Sequence, residues 1–246
     1  MENTKLLSGN ILKIIGCIAM LIDHLGAIIF PEVLVLRIIG RIAYPIFAFM
    51  LVEGCIYTRN RLKHLLLIFG MAIFIQVGYS LFMHDYSFSI FAVFSISIIL
   101  IYIYDYLVKL SEDIKSTGDN KNKKILLFIL LLLIALIIIT SVIILDIKTT
   151  LLLAGYGFQG ALIPVILYIV KKACNNNYIT LGVFIVLIVG SALMRKELYN
   201  LFSLCAILLL LLYNDKKGKY NIKYFFYLFY PLHIIIIYLI YLLINS

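Results

Sequence analysis

The chain has 246 residues, of which 64% are hydrophobic and 13% are charged, with a formal net charge of +9 and a mean hydropathy of +1.11. Soluble domains are about half apolar and about a quarter charged, so this composition excludes a soluble globular protein and indicates a membrane protein. The basic residues lie between apolar runs and form no basic stretch interleaved with aromatic residues. Membrane orientation therefore explains the charge, and we expect no nucleic-acid partner.

Nine apolar segments, each long enough to be considered as a membrane span, follow one another: 11–30, 33–57, 64–83, 87–108, 124–145, 149–170, 178–194, 198–213 and 223–244. A helix satisfies its own backbone hydrogen bonds in lipid. The expected fold class is therefore all-α, a polytopic transmembrane helical bundle of about nine spans that forms one domain over 1–246. Residues 109–124 are polar and charged, and they are predicted to form a cytoplasmic loop.

The distribution of lysine and arginine predicts the orientation. With the N-terminus in the cytoplasm and alternating spans, all but five of the 21 basic residues fall at cytoplasmic ends, and the exceptions are Arg37, Arg41, Lys148, Arg195 and Lys196. This is the bias that the positive-inside rule describes. We expect a cytoplasmic N-terminus and an external C-terminus.

The first two segments carry most of the ionisable residues that lie within apolar runs: Asp23, His24, Arg37, Arg41 and Glu53. A charge at the bilayer centre costs at least ~2.5 kcal/mol, so these groups must pair or line a wet cavity. Asp23 and His24 point about 100° apart on a helix, so Asp23 is not the partner of that imidazole. We predict that Asp23 pairs with Arg41 and that His24 faces His233 or a tyrosine.

Helical rise places several polar groups near the middle of the membrane, and they are His24, Arg41, Gln159 and His233. Pro45, Pro164 and Pro231 lie close to the same layer and remove the donors for the carbonyls of Arg41, Gly160 and Tyr227. Free carbonyls in lipid need protein or water partners, which again indicates a cavity. Tyr156, Gln159 and Tyr230 are candidate cavity groups.

Simpler interpretations compete with these. A membrane histidine often makes only a helix–helix hydrogen bond, and Glu53 could be just a partner for Arg59 or Arg61. The four cysteines, Cys17, Cys55, Cys174 and Cys205, form no close-spaced pair. They are interpreted as small apolar packing residues rather than metal ligands.

Four stretches resemble one known family. They are KIIGCIAMLIDHLGAIIFP, LRIIGRIAYPIFAFMLVEG, the following TRNR, and YLFYPLHIIIIYL near the C-terminus. These stretches contain four motifs: Asp-His-Gly-type, Gly-Arg-x-x-aromatic-Pro, Glu-Gly and Tyr-Pro-x-His. Motifs of this kind resemble the TraX family, the F-pilin acetylation proteins and their relatives. More distantly, Lys13 and His24 have the spacing of a basic residue and a histidine on the first helix of other membrane acetyltransferases.

The resemblance implies an integral membrane O- or N-acetyltransferase that uses cytoplasmic acetyl-CoA as acyl donor. His24 would be the general base. Arg41, held by Asp23, would stabilise the oxyanion, and His233 is the second candidate base. The residues expected to contact the donor are Lys13, Arg37, Glu53, Arg59, Arg61, Lys63, Tyr156, Gln159 and Tyr230.

The resemblance leaves the acceptor open: a peptide amine, a glycan hydroxyl or a lipid headgroup. It implies a multi-pass protein of a bacterial inner membrane, in contact with the lipid bilayer. Two alternatives are a proton-coupled transporter, with Asp23, His24 and Glu53 as a relay, and a non-catalytic assembly factor of an envelope or secretion system.

Overall fold

The structure is a computed structural model, and it describes residues 5–78, 80, 89–117, 123, 125–134, 136, 138, 140, 157–196, 198–220 and 222–244. Its regular elements are helical. They are α1 (Gly9–Ile28), α2 (Leu34–Gly40), α3 (Ala43–Tyr57), α4 (Arg61–Gly78), α5 (Ile90–Thr117), α6 (Ile125–Ile134), α7 (Gly157–Cys174), α8 (Asn177–Arg195), a 3₁₀ helix (Leu198–Leu204), α9 (Cys205–Leu211) and α10 (Lys223–Ile244). The expected all-α fold class is confirmed for these residues.

Among the described residues, seven helices are long and apolar enough to cross a membrane. They correspond to the first, second, third, fourth, sixth, seventh and ninth predicted segments, with α2 and α3 together forming one candidate span, Leu34–Tyr57. The fifth and eighth predicted segments contain shorter apolar helices, Ile125–Ile134 and Leu198–Leu211. The chain is therefore a multi-pass helical protein, and the count of nine stays a prediction.

The second predicted segment is not one continuous helix, because α2 ends at Gly40 and α3 begins at Ala43. The break follows from Pro45. Proline has no N–H to donate to the carbonyl four residues earlier, that of Arg41, and its ring clashes with that carbonyl. The predicted segment 33–57 is confirmed as one candidate span, Leu34–Tyr57, and the structure adds a break at Arg41 and Ile42.

The predicted loop at 109–124 also begins too early, since α5 continues through Thr117. Residues 109–117 contain neither glycine nor proline, and several of them are good helix formers, so the helix extends beyond its apolar part. Only Gly118 onwards has the composition of a helix end, and residues 118–122 lie outside the described residues.

The chain divides into two compact units, Met1–Glu53 with Ile169–Ser246, and Gly54–Tyr168. In the first unit, α1 packs against α2 and α10, and α8 packs against the 3₁₀ helix and α9. In the second, α4 packs against α5. The Ser97 hydroxyl also donates to the carbonyl of Ala161 at 2.8 Å, which joins α5 to α7.

The N-terminus of α1 is closed by the segment that precedes α10. The amides of Gly9 and Asn10 donate to the carbonyls of Lys216 and Lys217 at 2.8 and 2.9 Å, which satisfies donors that a helix start leaves free. Lys5 forms an ion pair with Asp215 at 2.9 Å. Burial alone raises the pKa of Asp215, but hydrogen bonds from Lys5 and Asn177 outweigh it, and the pKa lies below its usual value.

Helices α1 and α10 run parallel. Near their starts, the Lys13 ammonium lies 5.6 Å from the centre of the Phe226 ring. Near the middle of α10 and the end of α1, His233 contacts His24. Lys13 and His24 therefore both face α10 from α1.

Candidate active site at the α1–α2 turn

Asp23 on α1 holds two arginines. Its Oδ2 pairs with Arg37 at 2.8 Å and its Oδ1 with Arg41 at 3.0 Å. The side chains of Asp23 and Arg41 are 15% and 13% exposed, and that of Arg37 is 32% exposed. The predicted Asp23–Arg41 pair is confirmed, and Arg37 is a second partner. One carboxylate between two guanidinium groups leaves this cluster with a net positive charge.

The close approach of α1 and α2 depends on Gly40. A Cβ atom at this position would overlap the side chain of Asp23. Arg41 is then the first residue of the break between α2 and α3, and its Nε donates to the carbonyl of Arg37 at 3.3 Å. The short α2 thus brings both guanidinium groups to one carboxylate.

The carbonyl that Pro45 deprives of its donor has a protein partner. The Ser203 hydroxyl, in the 3₁₀ helix, donates to the carbonyl of Arg41 at 3.0 Å. The ring of Tyr199 lies 5.5 Å from the guanidinium carbon of Arg41. The predicted need for a partner is confirmed, and it is met by a side chain of the short eighth segment.

His24 lies one residue from Asp23 and faces α10. Its Nδ1 lies 2.8 Å from the carbonyl of Met20 and 3.2 Å from Nε2 of His233. His233 is buried, and its own Nδ1 lies 2.9 Å from the carbonyl of Phe229. The Tyr230 ring meets both imidazoles edge to face, at centroid distances of 6.5 and 5.4 Å. The prediction that His24 faces His233 or a tyrosine is confirmed for both.

This arrangement places a partly buried imidazole on the residue next to Asp23, whose carboxylate holds two positive charges. A neutral imidazole can accept a proton, and a guanidinium group held in place can stabilise an anion that develops nearby. Asp23, with its two oxygens engaged, serves to hold the arginines. The site therefore combines a base and an anion-stabilising group within one membrane hairpin and the last helix.

Glu53 belongs to a separate cluster of the same unit. Its Oε1 pairs with the buried Lys171, and its Oε2 accepts a hydrogen bond from Tyr213 at 3.0 Å. Lys171 also lies 4.8 Å from the centre of the Phe49 ring. The interpretation of Glu53 as a partner for Arg59 or Arg61 was wrong, because a lysine from the end of α7 occupies it. The expected contact of Glu53 with the acyl donor stays a prediction.

In the second unit, Arg61 pairs with the buried Asp105 at 2.5 Å, and Tyr168 donates to the same carboxylate at 2.7 Å. The Arg61 side chain is nevertheless 50% exposed, with its guanidinium group 5.2 Å from the centre of the Tyr102 ring. His64 contacts the Tyr102 hydroxyl at 2.8 Å. Arg61 is thus held in place by α5 while part of its surface stays accessible.

The other predicted donor-binding residues are spread along the chain. Arg59 and Lys63 are exposed at the start of α4, where Asn60 caps the helix by accepting a hydrogen bond from the Lys63 amide at 2.8 Å. Gln159 is partly buried in α7. Tyr156 lies outside the described residues. The structure brings together Asp23, His24, Arg37, Arg41, Tyr230 and His233 in the first unit.

Several residues of these clusters were not predicted from the sequence. Ser203 and Tyr199 gave no signal, because single serines and tyrosines in apolar segments are common. Lys171 was counted only as a cytoplasmic charge, although it closes the apolar run of α7.

We expect Gly40→Ala to destabilise the protein, since the added methyl group would displace Asp23 from its arginines. Overpacking of this kind costs ~1–3 kcal/mol. The matched control is Gly70→Ala in α4, where no described atom lies within 4 Å of the added Cβ. That variant should be neutral or more stable by up to ~1 kcal/mol, because alanine is the better helix former. Thermal unfolding midpoints in one detergent test both, and equal midpoints for the two variants would contradict the packing described.

Comparison with known proteins agrees with the resemblance in the sequence. The family model described as TraX protein matches residues 8–241. A stretch of 40 residues is 52% identical to an uncharacterized protein of Rickettsia prowazekii (strain Madrid E), and this match covers 16% of each chain. No solved structure shows a significant match. Since the family model extends over nearly the whole chain, the protein belongs to the TraX family.

Proposed function

We propose that the protein is an integral membrane acyltransferase that moves an acetyl group from cytoplasmic acetyl-CoA to an amine or hydroxyl acceptor. The observation that carries this proposal is the contact of His24 with His233 beside the Asp23–Arg37–Arg41 cluster. These residues lie within the motifs that resemble the pilin acetylation proteins. A base next to a fixed positive charge is what acyl transfer requires.

In the proposed reaction, His24 removes a proton from the acceptor as its nitrogen or oxygen attacks the thioester carbon. The carbonyl oxygen becomes an oxyanion, which Arg41 and Arg37 stabilise. The carbon–sulfur bond then breaks, CoA leaves as a thiolate, and the proton on His24 neutralises it or passes to water. Asp23 holds the arginines throughout. Arg37, first predicted to contact the donor, is thereby assigned to the oxyanion.

The donor's phosphates would be held by the basic residues at the start of α4. Arg59 and Lys63 are exposed, and Arg61 is fixed by Asp105 with half of its side chain accessible. A guanidinium group held by one carboxylate retains donors for a phosphate. Lys13, on the His24 face of α1, is the fourth basic residue proposed for the donor. The contacts of Glu53, Tyr156, Gln159 and Tyr230 with the donor stay predictions from the sequence.

The proposed topology has nine spans, a cytoplasmic N-terminus and an external C-terminus. The parallel packing of α1 and α10 supports an odd number of spans. The segment Leu198–Leu211 runs from the end of α8 toward Tyr213, while the start of α8 is joined to Asp215 by Asn177 at 2.7 Å. Half of this segment is a 3₁₀ helix, whose larger rise extends it to about 25 Å. This length favours an eighth span despite its few residues.

Reporter fusions at the two ends test the topology. A reporter active only in the cytoplasm should be active at Met1 and inactive at Ser246, since parallel first and last helices put the chain ends on opposite sides. A fusion at Lys196 should be inactive as well and one at Lys216 active, because the eighth span separates them. Equal activity at Lys196 and Lys216 would remove that span from the topology.

The proposed location is the inner membrane of a bacterium, and the proposed acceptor is a peptide, a glycan or a lipid.

Purified protein incubated with labelled acetyl-CoA tests the activity. Thioester consumption, or label on a membrane component, is the expected result. An intact thioester together with proton flux across proteoliposomes would instead support the proton-coupled transporter.

A further inference from the structure

The contacts of His24 and His233 determine which ring nitrogen of each histidine is protonated. A carbonyl oxygen only accepts hydrogen bonds. The carbonyl of Met20 lies 2.8 Å from Nδ1 of His24, and the carbonyl of Phe229 lies 2.9 Å from Nδ1 of His233. Each Nδ1 must therefore be the protonated nitrogen of its ring.

A neutral imidazole has one N–H and one lone pair. With Nδ1 protonated, Nε2 of His233 carries a lone pair, and this atom lies 3.2 Å from Nδ1 of His24. The N–H of His24 thus has two acceptors, the Met20 carbonyl and the His233 ring. The opposite tautomer of His24 would turn its Nδ1 lone pair toward both of these acceptors, which is unfavourable.

We infer that His233 is a positioning residue that holds His24 in the Nδ1–H tautomer, so that Nε2 of His24 is the nitrogen that accepts the proton. This inference rests on the proposed function only for its catalytic consequence. The hydrogen bond that one ring nitrogen makes determines which nitrogen is available for chemistry. Phe229, stacked on His233 at 5.0 Å, and Tyr230 fix the plane of the positioning ring.

The same contact also supports His24 after proton transfer. When Nε2 takes the acceptor's proton, His24 becomes an imidazolium ion, and its Nδ1–H donates to the lone pair of His233. This stabilises the positive charge on His24 without a second carboxylate, since Asp23 is engaged by Arg37 and Arg41. No proton needs to leave His24 along this bond for the reaction to balance.

Nitrogen NMR of the protein labelled at its histidines tests the tautomer without any activity assay. The chain has four histidines, and the His24 signals are assigned by their loss in His24→Gln. For neutral His24 we expect a pyrrole-type Nδ1 and a pyridine-type Nε2. His64→Gln is the control, because His64 contacts Tyr102 and its replacement should leave the His24 signals in place. A protonated Nε2 on neutral His24 would overturn the inference.

Two substitutions of His233 separate positioning from packing. His233→Gln supplies an amide oxygen that can accept from Nδ1–H, so it should retain the tautomer and acyl transfer within about tenfold. His233→Leu fills the space without an acceptor. It should move His24 toward the other tautomer and lower kcat by about 10² or more, within the range that a positioned base contributes, while KM for acetyl-CoA changes little. Equal kcat values in the two variants would contradict the positioning role.

The two proposals fail in different ways. Wild-type protein with the predicted His24 tautomer and no transfer of acetyl would sink the proposed function and keep the inference about the histidine pair. If the protein transfers acetyl and its neutral His24 is protonated on Nε2, the inference about the histidine pair fails and the proposed function is kept.

Discussion

His24→Gln is expected to lower acetyl transfer by ~10²–10⁴, the usual contribution of a positioned general base. Glutamine keeps a hydrogen-bonding group next to the Met20 carbonyl and His233 but cannot take up a proton. The yield of folded protein and the binding of acetyl-CoA should therefore stay close to the wild-type values. Single-turnover transfer of labelled acetyl groups, with binding measured separately by isothermal titration calorimetry, gives both quantities.

His24→Ala is the companion variant, and it should be as inactive as His24→Gln. A histidine that only joins two helices predicts a different pair of results: glutamine would be tolerated, and alanine would reduce the yield. If His24→Gln transferred acetyl at near the wild-type rate, His24 would not be the base, and His233 would be the remaining histidine of this cluster.

Asp23→Asn should destabilise the protein as well as inactivate it. The change leaves Arg37 and Arg41 without their shared carboxylate at a site where the partners are mostly buried. Removing one member of a buried ion pair typically costs ~3–5 kcal/mol. We expect a lower yield and a clearly lower unfolding midpoint in detergent, measured against the wild type under the same conditions.

Asp215→Asn is the matched control, since it makes the same chemical change at a pair that is partly exposed at both ends. Such pairs contribute ~0–1 kcal/mol. The double variant Asp23→Asn with Arg41→Gln should unfold at a higher temperature than Asp23→Asn alone, because one of the two stranded charges is gone. It should not reach the wild-type value, since Arg37 remains. A double variant no more stable than Asp23→Asn would show that Arg41 does not depend on Asp23.

Charge within apolar segments made the centre of the site predictable. Ionisable groups in lipid need partners, and the first hairpin holds most of those that lie within apolar runs, so Asp23 could be paired with Arg41 from helical depth and facing. The same reasoning brought His233 to the level of His24. Arg37 was predicted to contact the donor, because the sequence does not show that each oxygen of Asp23 can bind its own guanidinium group.

The effect of Pro45 on the backbone was predicted from the sequence, but the extent of the helix break was not. Pro45 predicted a carbonyl without a donor at Arg41, and the structure turns this into a full break between α2 and α3. The partner, Ser203, lies 162 residues away along the chain. A contact of that range depends on how α2 and the 3₁₀ helix pack, and no periodicity in the sequence encodes it.

Buried pairs that join distant helices were the least predictable. Lys171 looked like one more positive charge at a membrane surface, and Glu53 looked like a neighbour of Arg59 and Arg61. Their pairing comes from α3 and α7 meeting near Phe49 and Tyr213. By contrast, the extension of α5 to Thr117 could have been predicted, because helix-forming residues continue past the last apolar turn up to Gly118.

Oriented membrane vesicles provide the most direct test of the proposed acetyl transfer. Acetyl-CoA is highly charged and does not cross lipid, so it reaches the cytoplasmic face only in inside-out vesicles. Inside-out vesicles that contain the wild-type protein should release CoA from added labelled acetyl-CoA and retain the label on a membrane component. Right-side-out vesicles, and inside-out vesicles with His24→Gln, should do neither. Equal release of CoA by wild-type and His24→Gln vesicles would contradict acetyl transfer by this site.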